Sequence, residues 1–219
     1  MQKHGVINFN IRIKYLLRVF ILILIFILIN SCSSTHKVDR IAADTRIDLT
    51  GRWNDTDVRM VCESLINDCL SSPSVLRFIE QYTSRNTGKL PTAIVGTFRN
   101  DSSERINTSI ITINMESAIV NSGKLEFVAG GNTRHEIRNE RQDQLVNAKE
   151  DTATTLGYET AAILILTGSV NSIVEQAGNT TVRAYFVSAQ LTNIETNSRL
   201  WMGNNNEIKK VIRQRNARP

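Results

Sequence analysis

AAILILTGSVNSIVEQAGNTTVRAYFVSAQLTNI, Ala161 to Ile194, is the stretch on which the fold turns. It opens on an unbroken apolar run, the pattern of a central strand covered on both faces. Ala177-Gly178-Asn179 predicts a tight turn. From Thr180 the sequence alternates, placing Tyr185, Val187, Ala189 and Leu191 along one face of a long strand. Glu195 to Ser198 turns the chain again, and Arg199 to Ile212 begins as a third strand through Leu200-Trp201-Met202-Gly203. Three successive strands joined by short turns predict an antiparallel meander.

Upstream the period changes. Val58, Val61, Cys62, Leu65 and Cys69 recur at three- and four-residue steps, the stripe of an amphipathic helix. Asn54 or Asp55 suits its N-cap, and Asp57 puts negative charge in its first turn. Ser71-Ser72-Pro73 ends it, and Pro73 suits the first turn of a second helix carrying Val75, Leu76 and Ile79. Thr92 to Arg99 reads as a short buried strand. The next segment is ambiguous. INTSIITINM favours strand by its β-branching, yet Ile111, Met115, Ala118 and Ile119 have helical spacing and Gly123 stands where a helix stops. We read it as helix. Lys124 to Val128 is a strand, Ala129 to Asn132 a turn, Arg134 to about Lys149 a charged surface helix, and Thr152 to Leu156 a short helix ending at Gly157. The fold class is α/β: a mixed, largely antiparallel sheet with a C-terminal three-stranded meander, flanked by helices.

The N-terminus is organised differently. Lys3, Arg12, Lys14 and Arg18 precede the apolar run of VFILILIFILINSC, Val19 to Cys32. A cationic region, a short apolar region and small or polar residues before a cut describe an export signal. The run is well short of the ~20 residues a spanning helix needs. Cys32 at its end resembles the lipobox cysteine of bacterial lipoproteins, which is acylated and becomes the first mature residue. The alternative is an uncleaved inner-membrane anchor, since Asn30 is unusual two places before such a cysteine. The reading divides the chain into a signal peptide (1–31), the lipidated Cys32 with a short tether (32–47), a globular domain (48–212) and a basic tail (213–219). Fully extended, the ~15-residue tether reaches roughly 50 Å.

Composition narrows the function. The sequence pI is near 9.3, but the first 31 residues hold four Lys or Arg and no acid. The remainder has 22 basic against 21 acidic residues. No clustered excess of cations is left for nucleic acid. Of the three cysteines, Cys62 and Cys69 lie seven residues apart on one helix, two turns or ~10 Å, beyond disulfide reach; they read as small buried hydrophobes. Of the histidines, His36 lies in the tether and His135 on the charged helix. There is no nucleophile elbow, phosphate loop or zinc helix. Gly168-Ser169 falls inside a strand, where a small residue packed beneath a helix is the simpler account. No catalytic residue, metal ligand, cofactor or small-molecule substrate is assigned.

Two groups of residues are candidates for binding a protein partner. Arg52 and Trp53 are of the types that anchor interfaces, although Trp53 at the start of a helix serves equally to staple that helix to the core. Arg134, Arg138 and Arg141 give the charged helix a basic face, which reads equally as a solvated surface. Trp201 falls on either face of its strand.

These blocks together build a resemblance. DLTGRWNDTDVRMV (48–61), TAIVGTFRNDSSERINTSIITINMESAIVNSGKLEFV (92–128), LGYETAAILILTGSVNSIVEQ (156–176) and VSAQLTNIETNSRLWMG (187–203) resemble successive blocks of the LpoB family, outer-membrane lipoprotein activators of penicillin-binding proteins. The family domain is similar to the α/β fold of CsgG and of the TolB N-terminal domain. The resemblance implies a non-enzymatic protein, lipid-anchored to the outer membrane and facing the periplasm. Its partner would be a class A penicillin-binding protein, whose peptidoglycan synthesis it activates. Ser33 after the cysteine, in place of a retaining aspartate, resembles an outer-membrane address. The tether is far shorter than that of well-studied enterobacterial members. The alternative role is an assembly or secretion-support lipoprotein of the outer membrane.

Overall fold

The computed structural model describes residue 18, residues 39–42 and residues 45–213. The apolar signal, Cys32, most of the tether and the tail beyond Arg213 lie outside the described residues. The chain divides into two units, Met1–Ala43 and Asp44–Pro219, and the fold lies in the second. Its elements are α1 (Asp55–Ser71), α2 (Pro73–Arg85), β1 (Thr92–Asn100), α3 (Thr108–Ser122), β2 (Glu126–Phe127), α4 (Gly131–Asn147), β3 (Leu164–Ala177), β4 (Thr180–Asn193), β5 (Arg199–Asn205) and β6 (Lys209–Arg213). No helix among the described residues is long and apolar enough to cross a membrane.

The sheet runs β2-β1-β3-β4-β5, with β6 also paired to β4. β1 is parallel to both β2 and β3. β4 is antiparallel to β3, β5 and β6. The mixed, largely antiparallel sheet read from the sequence is therefore the observed one. The third meander strand is interrupted, however. Asn206 to Ile208 leave the ladder between β5 and β6, and the Ile208 carbonyl accepts from the Tyr185 amide at 2.9 Å. Arg213, read as the first tail residue, is the last residue of β6.

Helices cover one face of this sheet. Val61, Cys62, Leu65, Ile111, Met115 and Ile119 are buried against Leu164, Leu166, Val170, Tyr185, Val187 and Leu191. Asn54 caps α1 as its sequence promised. Its Oδ1 accepts from the Asp57 amide at 3.0 Å, and Asp57 Oδ2 accepts from the Asn54 amide at 3.0 Å, a reciprocal capping box. α3 resolves the ambiguous segment as helix, stopped by Gly123 at φ 63°. Burial against α1 and β1 outweighs the strand preference of its β-branched residues. Trp201 faces the helices, and its Nε1 donates to Asp68 Oδ2 at 2.9 Å.

α4 stands alone on the opposite face. A right-handed crossover from β1 to β2 through α3 uses the first face. The return past β1 to β3 must then use the other. A Cβ on Gly130, just before α4, would lie 3.9 Å from the Ile94 side chain, and no α4 residue is buried. β3 is thus central, with Leu164, Leu166 and Val170 buried against the helices, while on its other face Ile165 and Thr167 are partly exposed and Ser169 is buried.

Three smaller expectations are corrected. β2 is two residues long, and Gly131 and Asn132 belong to α4, with Gly131 admitting φ 53°. Thr152 to Leu156 is not helical: Thr152 Oγ1 donates to the Lys149 carbonyl at 3.0 Å, a local bond that competes with helix. Gly168 packs beneath the ring of Phe98 on the neighbouring strand, not beneath a helix. A Cβ there would overlap both that ring and the Ser188 carbonyl. Gly168→Ala is expected to cost about 2 kcal/mol as overpacking, read as a lowered denaturant midpoint at unchanged slope. An unchanged midpoint would show that β3 and β4 part freely.

Cys62 and Cys69 are buried and free, as read. Cys62 Sγ donates to the Ile111 carbonyl at 3.9 Å. Burial pushes both thiols up to about 12, so neither is a thiolate at neutral pH. A maleimide is expected to leave the native protein unlabelled at these positions and to label both on unfolding. Because the folded values exceed the unfolded ones, the thiols' stabilising contribution is intact below the ordinary thiol pKa. It is lost as pH rises from there through about 12. Rapid native labelling at pH 7 would contradict both statements.

Candidate functional site

Arg52 and Trp53 enter the structure immediately before the α1 capping box. The Trp53 ring meets Tyr185 edge-on, with centroids 5.2 Å apart and planes at 61°. It packs against the core from its edge and so staples the start of α1 to β4. A cleft of about 330 Å³ opens beside it, between the N-termini of α1 and α3. Val58, Ile106 and Ile110 give this cleft apolar lining, and Arg52 and Arg105 also border it. Arg52 is exposed.

Glu104, which drew no notice in the sequence, organises the wall of this cleft. Its side chain is 11% exposed and pairs with the Nη1 of Arg183. It also accepts from the Tyr185 hydroxyl at 2.9 Å and from the Trp53 amide at 3.4 Å. One carboxylate therefore joins the loop after β1, the strand β4 and the segment before α1. The loop is itself pinned: Asn100 Nδ2 donates to the Glu104 carbonyl at 2.7 Å. A signal was present in the sequence. Arg183 falls on the same alternating face as Tyr185, Val187 and Leu191, and a charge on an inward face requires a counter-charge.

Lys210 on β6 closes the other side. Its ammonium donates to Asp57 Oδ2 at 2.6 Å, Asp48 Oδ1 at 2.7 Å and the Arg52 carbonyl at 2.9 Å. Its hydrogen bond holds Asp48 below the usual carboxylate range. The backbone bearing Arg52 and Trp53 is thus clamped between Glu104 and Lys210.

The second group lies on α4. Arg138 grips Glu159 with two parallel bonds, Nε to Oε1 and Nη2 to Oε2, each 2.9 Å. Arg141 adds Nη1 to Oε1 at 2.9 Å. Arg134 Nε donates to the Ala129 carbonyl at 2.9 Å. The Arg138 bond holds Glu159 below its ordinary range. Much of this basic face is therefore spent in fastening α4 to the segment before β3. The two candidate groups lie on opposite faces of the sheet.

Among the described residues no group of three His, Cys, Asp or Glu side chains could hold a metal ion. What the Trp53 cleft offers is apolar contact beside guanidinium groups, the chemistry of recognition.

The family model for the peptidoglycan-synthase activator LpoB matches residues 57–207. The chain belongs to the LpoB family. That match runs from the first turn of α1 to beyond the end of β5, so it takes in nearly all of the folded unit. Members of this family are non-catalytic outer-membrane lipoproteins that face the periplasm, and this protein is one of them. No curated protein sequence matches the chain. Among solved structures it is similar to the LpoB C-terminal domain from Escherichia coli, at 16% identity over 72% of this chain and 99% of that one, with a TM-score of 0.41. It is also similar to the NMR structure of E. coli LpoB, at 15% identity over 84% and 85%, with a TM-score of 0.40. Lipoprotein GNA1162 from Neisseria meningitidis matches at 14% identity over 58% and 87%, with a TM-score of 0.35.

Proposed function

We propose that this protein is held at the outer membrane by an acylated Cys32, and that its folded domain docks on a class A penicillin-binding protein and raises its synthetic activity. The observation that carries the reading is the family match across 57–207. Activation of this kind needs no chemistry from the activator. It shifts the synthase only as far as it binds the active conformer better than the resting one. The cleft beside Arg52 and Trp53 is the contact we favour, because its backbone is fixed from both sides and Ile110 stands exposed in its lining. The α4 face of Arg134, Arg138 and Arg141 is the lesser candidate, since Glu159 already engages two of its guanidinium groups.

Near the start of the folded unit, Arg46 Nη2 lies 3.4 Å from the Met60 sulfur. A leash of about 15 residues then sets a radius of roughly 50 Å from the lipid, and the partner must project into that radius.

The decisive test is capture of a purified class A penicillin-binding protein, with an assay of its crosslinking. The reading expects binding, a rise in crosslinked product, and loss of both in Arg52→Glu with the fold intact. Absence of binding by the acylated wild-type protein would remove the reading. Metabolic labelling with a fatty-acid analogue is expected to mark the wild type and not Cys32→Ala. Equal labelling of the two would place the anchor elsewhere.

A further inference from the structure

The sheet face turned away from α1, α2 and α3 carries a second cleft, about 370 Å³ in volume. A bulge in β1 makes it. Val95 pairs with Leu166 and Phe98 with Gly168, so Gly96 and Thr97 together lie opposite Thr167. The extra residue reverses the alternation of the strand. Ala93 and Val95 point to the core before it, and Phe98 points there after it. Arg99 is thereby turned onto the open face; in an unbroken strand it would point inward.

Polar side chains continue from Arg99 across the sheet. Arg99 lies opposite Ser169, Ser169 opposite Ser188, and Ser188 opposite Asn204. In the next row Thr167 lies opposite Gln190. The Ser169 and Ser188 hydroxyls are 3.1 Å apart, and Gln190 Nε2 donates to Thr167 Oγ1 at 3.3 Å. Each of these groups both donates and accepts, so the floor has hydrogen-bonding capacity left over. Arg99 is the single charged residue lining the cleft. Its side chain is 72% exposed, and its ion pair with the exposed Asp101 is long, at 3.7 Å.

We propose that this cleft binds a carboxylate-bearing, N-acetylated saccharide of the peptidoglycan class. Arg99 takes the carboxylate, and Thr167, Ser169, Ser188 and Gln190 bond the hydroxyl and acetamido groups. Charge complementarity sets the ligand class. One guanidinium fits one carboxylate in two parallel bonds, whereas a polyanion would call for several cations. A protein surface is disfavoured because interface centres are built on aromatic and aliphatic anchors, and Met202 is the one large apolar side chain in the lining. The inference rests on the proposed role beside wall synthesis only for the presence of such a ligand.

The test is calorimetric titration of the full-length protein in detergent with the peptide-free disaccharide of N-acetylglucosamine and N-acetylmuramic acid, whose single lactyl carboxylate is free. The uncharged N-acetylglucosamine tetramer serves as the comparison. Saturable binding is expected, weakened about tenfold or more by Arg99→Ala, whose exposed side chain leaves the fold unaffected, and several-fold by Gln190→Ala. The uncharged tetramer is expected to bind about tenfold more weakly than the carboxylate-bearing disaccharide. No heat at concentrations of about 10 mM, affinity unchanged in both variants, or equal binding of the uncharged tetramer would each overturn the proposal. No synthase is present in the titration, so failure of the activator reading leaves its result standing.

Discussion

Glu104→Ala is expected to lower the stability of the folded domain by about 3–5 kcal/mol, the cost of breaking a largely buried ion pair from one side. Glu104 is 11% exposed and Arg183 20%, so the guanidinium left behind has little water to turn to. The Tyr185 hydroxyl loses its acceptor at the same time, and the Nε of Arg183 already lacks a hydrogen-bond partner among the described residues. For a domain of this size such a loss lowers Tm by roughly 6–20 °C. Glu104→Gln keeps the shape and one acceptor and is expected to recover part of the loss. Pairing Glu104→Ala with Arg183→Met removes the stranded charge and should recover more. Thermal unfolding followed by circular dichroism reads all three. A single alanine variant within about 0.5 kcal/mol of wild type would mean that solvent screens this pair as it screens exposed ones.

Lys210→Met is expected to cost about 3 kcal/mol, because it leaves Asp57 buried without its cation and the Arg52 carbonyl without a donor. Asp57 is 7% exposed on its side chain and Lys210 11%. The damage should concentrate where the clamp acts. Amide exchange is expected to quicken at the start of α1 and along β6, while β3 stays protected. The pH dependence has a definite sign. Asp48 is held below its ordinary range by Lys210, so its share of the stabilisation is present above the unfolded carboxylate pKa. That share is lost as pH falls through the lowered folded value. Wild type and variant should therefore differ most near neutrality and converge in acid. A difference that grew on acidification would contradict the assignment.

Both residues show where reading a sequence stops. The α1 stripe, the Asn54–Asp57 cap and the Gly123 stop are local patterns with a spacing of one to four residues, and each folded as its spacing required. The β4 alternation likewise placed Tyr185, Val187, Ala189 and Leu191 inward. Lys210, by contrast, sits in a basic stretch, Lys209-Lys210-Val211-Ile212-Arg213, with no counter-charge inside it. Nothing within ten residues tells that its partners are Asp48 and Asp57. Glu104 in Ser102-Ser103-Glu104-Arg105 looks like ordinary loop chemistry until β4 is laid beside it. Of the candidate contact residues, Arg52, Trp53, Arg134, Arg138 and Arg141 were nominated by type. Residue type could not say that Glu159 would engage Arg138 and Arg141, or that Trp53 would lean on Tyr185.

The bulge in β1 belongs to the same class. TAIVGTFRN alternates imperfectly, and a single strand cannot disclose that its neighbour will pair out of step at Thr167. That slip decides that Arg99 faces the open cleft and Phe98 covers Gly168.

By itself the chain determined α1 with its cap, the long inward face of β4 and the absence of a polyanion-binding charge excess. These follow from periodicity, caps and composition, which act over a few residues. Only the folded arrangement decided which charges pair, which sheet face stays open, and where Arg52 and Trp53 are clamped. Those outcomes depend on contacts between segments some 50 to 160 positions apart, such as Trp53 with Glu104 and Lys210 with Asp48, and proximity of that kind exists only once the core has closed.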